Sequence, residues 1–181
     1  MKTLKLYITE ALHVNRNTKI IERNYHPKDR TELEGIIEKL IKERGINADL
    51  NDIDTSNITD MEDLFWGSAF NGDISEWDVS NVKGMHAMFY LSDFNGDISE
   101  WDVSNVKDMY SMFYKSQFNG DISNWDVSNV VDMRSMFYKS QFNGDISNWD
   151  VSNVKYTNYM FDDSPLEKNP PKWYKSSETL L

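Results

Sequence analysis

Residues 111–130 read SMFYKSQFNGDISNWDVSNV, and the same letters recur without change as residues 135–154. The block DIS-(Glu or Asn)-WDVSNV occurs four times, and its tryptophans are spaced 24 residues apart. Ile53, one period before the first block, and Trp173, one period after the last, lie in degenerate copies. A constant period with atypical ends is typical of a protein in which each repeat buries its apolar face on its neighbours. The four tryptophans are Trp77, Trp101, Trp125 and Trp149.

A single repeat contains patterns for a strand, a helix and a turn. The segment ISEWDVSNV, residues 74–82, has apolar residues at relative positions 1, 4, 6 and 9, which is the spacing of a leucine-rich repeat. Trp77 and Val79 are expected to point inward from a short strand, because alternate side chains of a strand face the same side. Residues 82–89 have apolar groups at i, i+3, i+6 and i+7, which predicts about two turns of helix. Asn-Gly at residues 95–96 predicts the turn that leads to the next strand.

These patterns together predict an α/β solenoid, a leucine-rich-repeat-like right-handed coil of about five 24-residue turns with a parallel sheet on one face. A pure parallel β-helix is the structural alternative. The chain is expected to divide into an N-terminal strand and helix cap at residues 1–49, the repeat solenoid at residues 50–164, and a C-terminal cap and tail at residues 165–181.

The N-terminal cap contains two predicted elements. Alternating apolar residues at positions 4–8 predict a strand. Thr31 followed by Glu34 is a capping-box pattern that predicts the start of a helix, and Gly45 predicts its end. Such a helix can cover the first repeat with its apolar face. The residues of that face are Leu33, Ile36, Ile37, Leu40 and Ile41.

The repeat motif resembles a known family. The pattern WDVSNV…M..MF…FNGDIS, which covers residues 50–164, is similar to the bacterial surface-protein repeat, the BspA-like leucine-rich repeat family. The resemblance implies a leucine-rich-type solenoid and a role in adhesion or protein binding. It also implies surface display or secretion, whereas the first residues, MKTLKLYITE, lack a secretion signal and by themselves predict a cytoplasmic chain.

The composition excludes several classes of protein. The 181 residues include 19 basic and 30 acidic side chains, a formal net charge of −11, and no cysteine. The acidity argues against a nucleic-acid binder, which needs a basic face, and a mean hydropathy of −0.64 without a long apolar run argues against a membrane span. Without cysteine there is neither a disulfide framework nor a thiolate metal site. Most of the acidity lies in residues 50–164, which contain 20 acidic and 6 basic side chains.

The sequence shows no pattern of catalytic or cofactor-binding residues. His13, His26 and His86 are scattered, and none is paired with a nucleophile or a second metal ligand at a useful spacing. The chain has no G-x-S-x-G, H-E-x-x-H, phosphate-loop or dinucleotide fingerprint. The sequence therefore predicts a protein that is not an enzyme and has no catalytic residues, cofactor or metal ion.

One candidate binding surface, the aspartate column, places an aspartate at the same strand position in successive repeats. Neighbouring carboxylates are expected about 5 Å apart, where like charges repel by about 3 kcal/mol at an effective dielectric of 20. The repulsion can be relieved by Asx turns to the following Ser or Asn, by a basic partner protein docking on the face, or by a row of Ca²⁺ ions. The candidates are Asp54, Asp78, Asp102, Asp126 and Asp150, with Glu76 and Glu100 on the same face.

A second candidate surface is an aromatic stripe that follows the phenylalanines of the predicted helices. If each Phe is buried, the next residue faces another way and is expected to be at least half exposed. A row of amphipathic rings suits contact with a protein or a glycan. The alternative is that the rings stack between repeats and seal the surface. The stripe consists of Trp66, Tyr90, Tyr114 and Tyr138.

The sequence as a whole predicts a non-enzymatic scaffold of the protein-binding or adhesion type. Its expected partner is a protein, including one with a basic surface, or a glycan; neither nucleic acid nor a membrane span is expected. The alternative function is a structural or self-associating assembly module, so the pattern leaves the oligomeric state open.

Overall fold

The structure, a computed structural model, describes residues 21–175. The strand predicted at residues 4–8 lies outside this range. Within the range, the chain forms one α-helix, α1 (Arg30–Arg44), and one short 3₁₀ helix, Pro165–Glu167. The residues between the two helices form successive turns that stack on one another.

Helix α1 begins two residues earlier than the capping-box pattern predicts. The Asp29 carboxylate accepts a hydrogen bond from the Glu32 N–H at 3.0 Å, and the Glu32 carboxylate accepts one from the Lys28 N–H at 3.0 Å. The first bond satisfies a backbone donor that the first turn leaves without a helical partner, and the second fixes the chain just before the helix. Thr31 therefore lies inside the helix, which ends at Gly45 as predicted.

The first repeat is covered by the chain that precedes it. The Asn24 N–H donates to the Asp52 carbonyl at 2.7 Å, and the Asp54 N–H donates to the Tyr25 carbonyl at 2.8 Å. Helix α1 packs its apolar face on the hydrophobic core of the repeats. Three residues of that face are buried, Leu33, Ile37 and Leu40, and two are partly buried against the core, Ile36 and Ile41.

The repeats stack with a register of 24 residues. Their backbones meet in isolated parallel bridges between equivalent residues, and within residues 21–175 these bridges do not extend into strands. The predicted α/β solenoid, a leucine-rich-repeat-like coil with a parallel sheet on one face, is therefore wrong: the described residues contain no sheet. The β-helix alternative fails for the same reason. The longest file of bridges is Asp60↔Gly84, Gly84↔Asp108, Asp108↔Asp132 and Asp132↔Tyr156.

The segment predicted as a helix, residues 82–89, forms consecutive turns instead. The N–H groups of Met85 and Ala87 donate to carbonyls of the next repeat at 2.9 Å, whereas the Met88 N–H turns back to the Met85 carbonyl at 3.3 Å. Ala87 has a φ of 49°, and Leu91, four residues later, has a φ of 55°. Both values lie in the left-handed region, which neither an α-helix nor a strand uses. Because the N–H groups alternate between the next repeat and the same repeat, and left-handed residues recur, the segment forms neither an α-helix nor a strand.

The strand predicted around Trp77 is also replaced by turns. The Trp77 N–H donates to the Ile74 carbonyl at 3.2 Å, and the Val82 N–H donates to the Val79 carbonyl at 2.9 Å. Trp77 and Val79 nevertheless point into the core and are 3% and 1% exposed. The apolar spacing thus identifies the inward residues but not the backbone conformation.

The core consists of aromatic rings stacked at the repeat period. Trp77 and Trp101 lie with their ring centroids 6.5 Å apart and their planes within 1°. At the C-terminal end Trp173 stacks on Trp149 at 6.5 Å, so the degenerate last copy continues the ladder. A second ladder has centroid separations of 5.5 to 5.9 Å and consists of Phe65, Phe89, Phe113, Phe137 and Phe161.

Candidate functional site

The aspartate column is built from one Asx turn per repeat. In each turn the aspartate carboxylate accepts the N–H of the serine two residues later, at 3.0 to 3.1 Å. Asp54 is partly buried, and the four later members are exposed. Of the alternatives that the sequence leaves open, the Asx turn is present at every position. The members are Asp54, Asp78, Asp102, Asp126 and Asp150.

Hydrogen bonds from the turn serines favour the ionised forms of Asp126 and Asp150. The Ser128 hydroxyl, and after it the Ser128 N–H, lowers the pKa of Asp126, against opposing effects of burial and then of the neighbouring Asp150 carboxylate. The Ser152 N–H, followed by its hydroxyl, lowers the pKa of Asp150. These carboxylates are therefore charged at neutral pH and repel one another along the stack.

Basic residues lie at the N-terminal end of the column. His26 Nδ1 lies 3.1 Å from the Asp54 carboxylate. Arg23 donates to the carbonyls of Ile53 and Glu76 at 3.1 and 2.8 Å, and so joins two successive repeats. The pKa of Asp54 is lowered first by the serine of its own turn and to a smaller extent by His26. The chain thus places His26 against the first member of the column and Arg23 on backbone carbonyls beside it.

The predicted glutamates extend the acidic surface on one half of the stack. Glu76 and Glu100 are exposed and lie two residues before members of the column. Asn124 and Asn148 occupy the equivalent positions in later repeats. Negative charge is therefore denser beside the earlier repeats.

A second aspartate file has the same turn and was missed by the sequence analysis. Each of its carboxylates accepts the N–H of the residue two positions later, at 2.9 to 3.0 Å. The signal was present, because each full repeat contains two Asp-x-Ser triplets, DIS and DVS, and the aspartate column uses only the second. The second aspartate file consists of Asp49, Asp73, Asp97, Asp121 and Asp145.

The aromatic stripe is a continuous stack of rings. The centroid separation is 4.6 Å between Trp66 and Tyr90 and 4.4 Å between Tyr90 and Tyr114. Tyr114 and Tyr138 follow at 4.9 Å. Trp66 is 55% exposed, whereas the three tyrosines are partly buried. Because the tyrosines stack face to face, they present mainly ring edges and hydroxyl groups to a ligand.

Three side chains that can ligate metals meet on another part of the surface. Glu62, His86 and Asp108 each offer one ligand atom, and these atoms all lie within 4.8 Å of one another. Glu62 and His86 are equivalent residues of consecutive repeats, and Asp108 lies two residues before the next equivalent, Tyr110. Aligning the sequence at the 24-residue period places these three residues at the same or nearly the same repeat position, and this signal could have identified the group. Burial, and after it the Asp60 carboxylate, raises the pKa of Glu62.

Asp132 and Arg134, the equivalents of Asp108 and Tyr110 in the next repeat, form an internal ion pair. Arg134 Nε donates to the Asp132 carboxylate at 3.0 Å. The Arg134 guanidinium lies 5.1 Å from the ring centroid of Tyr110 and 5.2 Å from that of Tyr156. The carboxylate of this repeat is therefore neutralised within the chain.

Comparison with known proteins identifies a family. The family model described as Mycoplasma protein of unknown function, DUF285, matches residues 32–138 and, a second time, residues 115–179. The two matches overlap by one repeat length and together cover most of the chain. No curated protein and no solved structure matches the sequence. Within residues 21–175, neither helix has the length and apolar character needed to cross a bilayer.

Proposed function

We propose that this chain, which belongs to the family of Mycoplasma proteins of unknown function, DUF285, is a non-enzymatic scaffold that binds a basic protein along its aspartate column. The observation that carries the proposal is the column itself, with one turn-held carboxylate in each of five successive repeats. Like charges at the repeat spacing raise the free energy of the folded chain, and a cationic surface lowers it. The adhesion-type role implied by the BspA-like resemblance is part of this proposal.

The column is preorganised for binding. Each aspartate is already held by its own turn, so little side-chain freedom remains to be lost when a partner docks. The stacking of the repeats, and not the conformation of flexible loops, sets the distance between successive charges. A partner with lysine or arginine side chains along an extended surface therefore meets an ordered row of acceptors.

The charge distribution supports a basic partner. Residues 50–164 contain 20 acidic and 6 basic side chains. Such an excess accelerates the approach of a cationic protein, and the attraction weakens as salt is added. Within the chain, His26 approaches the Asp54 carboxylate to 3.1 Å, which provides an internal example of a basic group at the column.

The test removes the charge of the column and keeps its turns. The variant combines Asp78→Asn, Asp102→Asn, Asp126→Asn and Asp150→Asn, because an asparagine carbonyl can still accept the serine N–H. The probe is a labelled oligolysine peptide, and binding is followed by fluorescence anisotropy. Four exposed ion pairs at about 0.2–1 kcal/mol each predict a loss of roughly 1–4 kcal/mol, so we expect the affinity to fall about fivefold or more.

The second aspartate file provides a matched control. The combination Asp73→Asn, Asp97→Asn, Asp121→Asn and Asp145→Asn removes the same number of charges from the same kind of turn. We expect this variant to lose clearly less affinity than the column variant. An equal loss in the two variants would show that only net charge matters and would refute the column as the binding site.

The self-association alternative has less support. The N-terminal face of the stack is covered by residues 24–25 and helix α1, and the C-terminal face is covered by Trp173. Covered ends disfavour end-to-end growth of the kind that exposed edges promote. We expect light scattering to give a monomer over a wide range of concentrations, and oligomers that grow with concentration would favour the alternative.

A further inference from the structure

We propose that Glu62, His86 and Asp108 form a binding site for a divalent transition-metal cation, with Zn²⁺ as the probe. One ligand atom from each residue lies within 4.8 Å of the other two. An imidazole nitrogen together with two carboxylates suits such ions, whereas Mg²⁺ and Ca²⁺ prefer oxygen ligands alone. The site goes beyond the proposed function because none of its residues belongs to the aspartate column.

Small side-chain rotations bring the three ligands to bonding distance. Zinc bonds to nitrogen and oxygen are about 2.0–2.2 Å long, which places ligand atoms of a tetrahedral ion roughly 3.4 Å apart. The three side chains are partly exposed. Their exposure also allows water to complete the coordination shell.

Gly84 provides the space in which the Glu62 carboxylate lies. Gly84 stands between Asp60 and Asp108 in the longest file of bridges, whose other members all carry side chains. A Cβ atom at Gly84 would lie 2.8 Å from Glu62 Oε1 and would displace the carboxylate. The space at Gly84 is an observation independent of the identities of the three ligands.

Two of the ligands have contacts that orient them, Asp108 within its own repeat and His86 against the next one. Asp108 Oδ1 accepts the Tyr110 N–H at 2.8 Å, which leaves Oδ2 for an ion. The His86 ring packs edge-on against the Tyr110 ring, with centroids 4.7 Å apart. Such contacts orient metal ligands before the ion arrives. In the next repeat Arg134 already pairs with Asp132, so one site is expected within residues 21–175.

Calorimetric titration of the full chain with Zn²⁺ tests the site. We expect one tight site in the parent chain and at least a tenfold loss of affinity in His86→Asn and in Asp108→Asn. Asparagine occupies the position equivalent to His86 in a later repeat, at Asn158, and it preserves the turn at Asp108. His26→Asn is the matched control, because His26 also contacts a carboxylate but lies outside the group.

Gly84→Ala tests the geometry without removing a ligand. We expect weaker Zn²⁺ binding, because the added Cβ displaces Glu62, while circular dichroism shows an unchanged fold. Binding that persists in His86→Asn, or that falls equally in His26→Asn, would overturn the site, as would the absence of one-to-one binding in the parent chain. Oligolysine binding is expected to be unchanged in His86→Asn, so failure of this site and failure of the proposed function are distinguishable.

Discussion

The indole Nε1 of Trp101 donates a hydrogen bond to the carbonyl oxygen of Ile74, which lies 3.2 Å away and 27 residues earlier in the chain. The tryptophans of the other repeats make the same bond, including the partly buried Trp173, which donates to the Ile146 carbonyl at 3.0 Å. The bond joins each repeat to the preceding one inside the core. It also gives the buried indole N–H an acceptor, which burial would otherwise leave it without.

Replacing Trp101 by phenylalanine tests this link. Trp101→Phe removes one of the two donors to the Ile74 carbonyl, since the Trp77 N–H also donates to it, and loss of one such hydrogen bond costs about 0.5–1.5 kcal/mol. The smaller ring also leaves a cavity in the core, which adds to the loss. We expect the free energy of unfolding, measured with urea, to fall by about 2–4 kcal/mol. Trp173→Phe, at the end of the ladder, is expected to cost clearly less. Equal losses at the two positions would contradict this account of the core.

The left-handed residues predict a stabilising glycine substitution. Leu91 has a φ of 55° and is 47% exposed, and Gly67 occupies the equivalent position one repeat earlier with a φ of 61°. A left-handed conformation costs a residue with a Cβ about 1–2 kcal/mol, which exceeds the backbone entropy cost of glycine, about 0.5–1 kcal/mol. We therefore expect Leu91→Gly to raise the free energy of unfolding by up to about 1 kcal/mol.

The control for Leu91→Gly is Lys83→Gly, at an exposed position without a positive φ. There the entropy cost of glycine is not offset by relief of strain, so we expect a small loss of stability in urea. If both glycine variants lose stability to the same extent, the left-handed backbone at Leu91 does not cost the folded chain the free energy assigned to it.

Two substitutions distinguish the observed helix cap from the one predicted from the sequence. Asp29→Ala removes the acceptor for the Glu32 N–H, and loss of such a cap costs about 1 kcal/mol. Thr31→Ala changes a residue inside helix α1 and is expected to have little effect. Urea unfolding of the two variants gives the comparison. A larger loss in Thr31→Ala than in Asp29→Ala would favour the cap that the sequence predicts.

The Asx turns predict sensitivity to acid. The folded-state pKa of Asp126 lies below the ordinary value of about 3.9, so its ionised form stabilises the fold above that pH. That contribution is lost as the pH falls through the lower, folded-state pKa. Ser128→Ala removes the hydroxyl donor, and we expect an NMR titration to show a higher pKa for Asp126. Ser104→Ala, one repeat away, is expected to leave the pKa of Asp126 unchanged.

The sequence predicts the register and the inward residues of this fold because both follow from apolar spacing. The 24-residue period places Trp77, Trp101 and Trp173 in one ladder, as expected. The backbone could not be predicted from the same spacing. Apolar residues three apart suit a helix, but they also suit consecutive turns with a left-handed residue such as Ala87, which is not a residue type that favours this conformation.

The candidate sites were predictable to the extent that they repeat. The aspartate column recurs at one position and is visible in the sequence, as is the aromatic stripe. The group of Glu62, His86 and Asp108 occurs once, at the place where Gly84 interrupts a file of side chains. Local spacing along the chain does not indicate such a group, because its members are neighbours only after the repeats have stacked.

The identity of residues 111–130 and 135–154 means that the contact between these two repeats is made by one repeated set of side chains. A deletion or duplication of a whole period would leave each ring opposite its counterpart and each carbonyl opposite its indole. A length change of any other size within a repeat would break the alignment of the ladders at that repeat. A gene encoding such a chain can therefore lengthen or shorten its acidic surface in single steps, by recombination between its own copies, without passing through an intermediate that cannot fold.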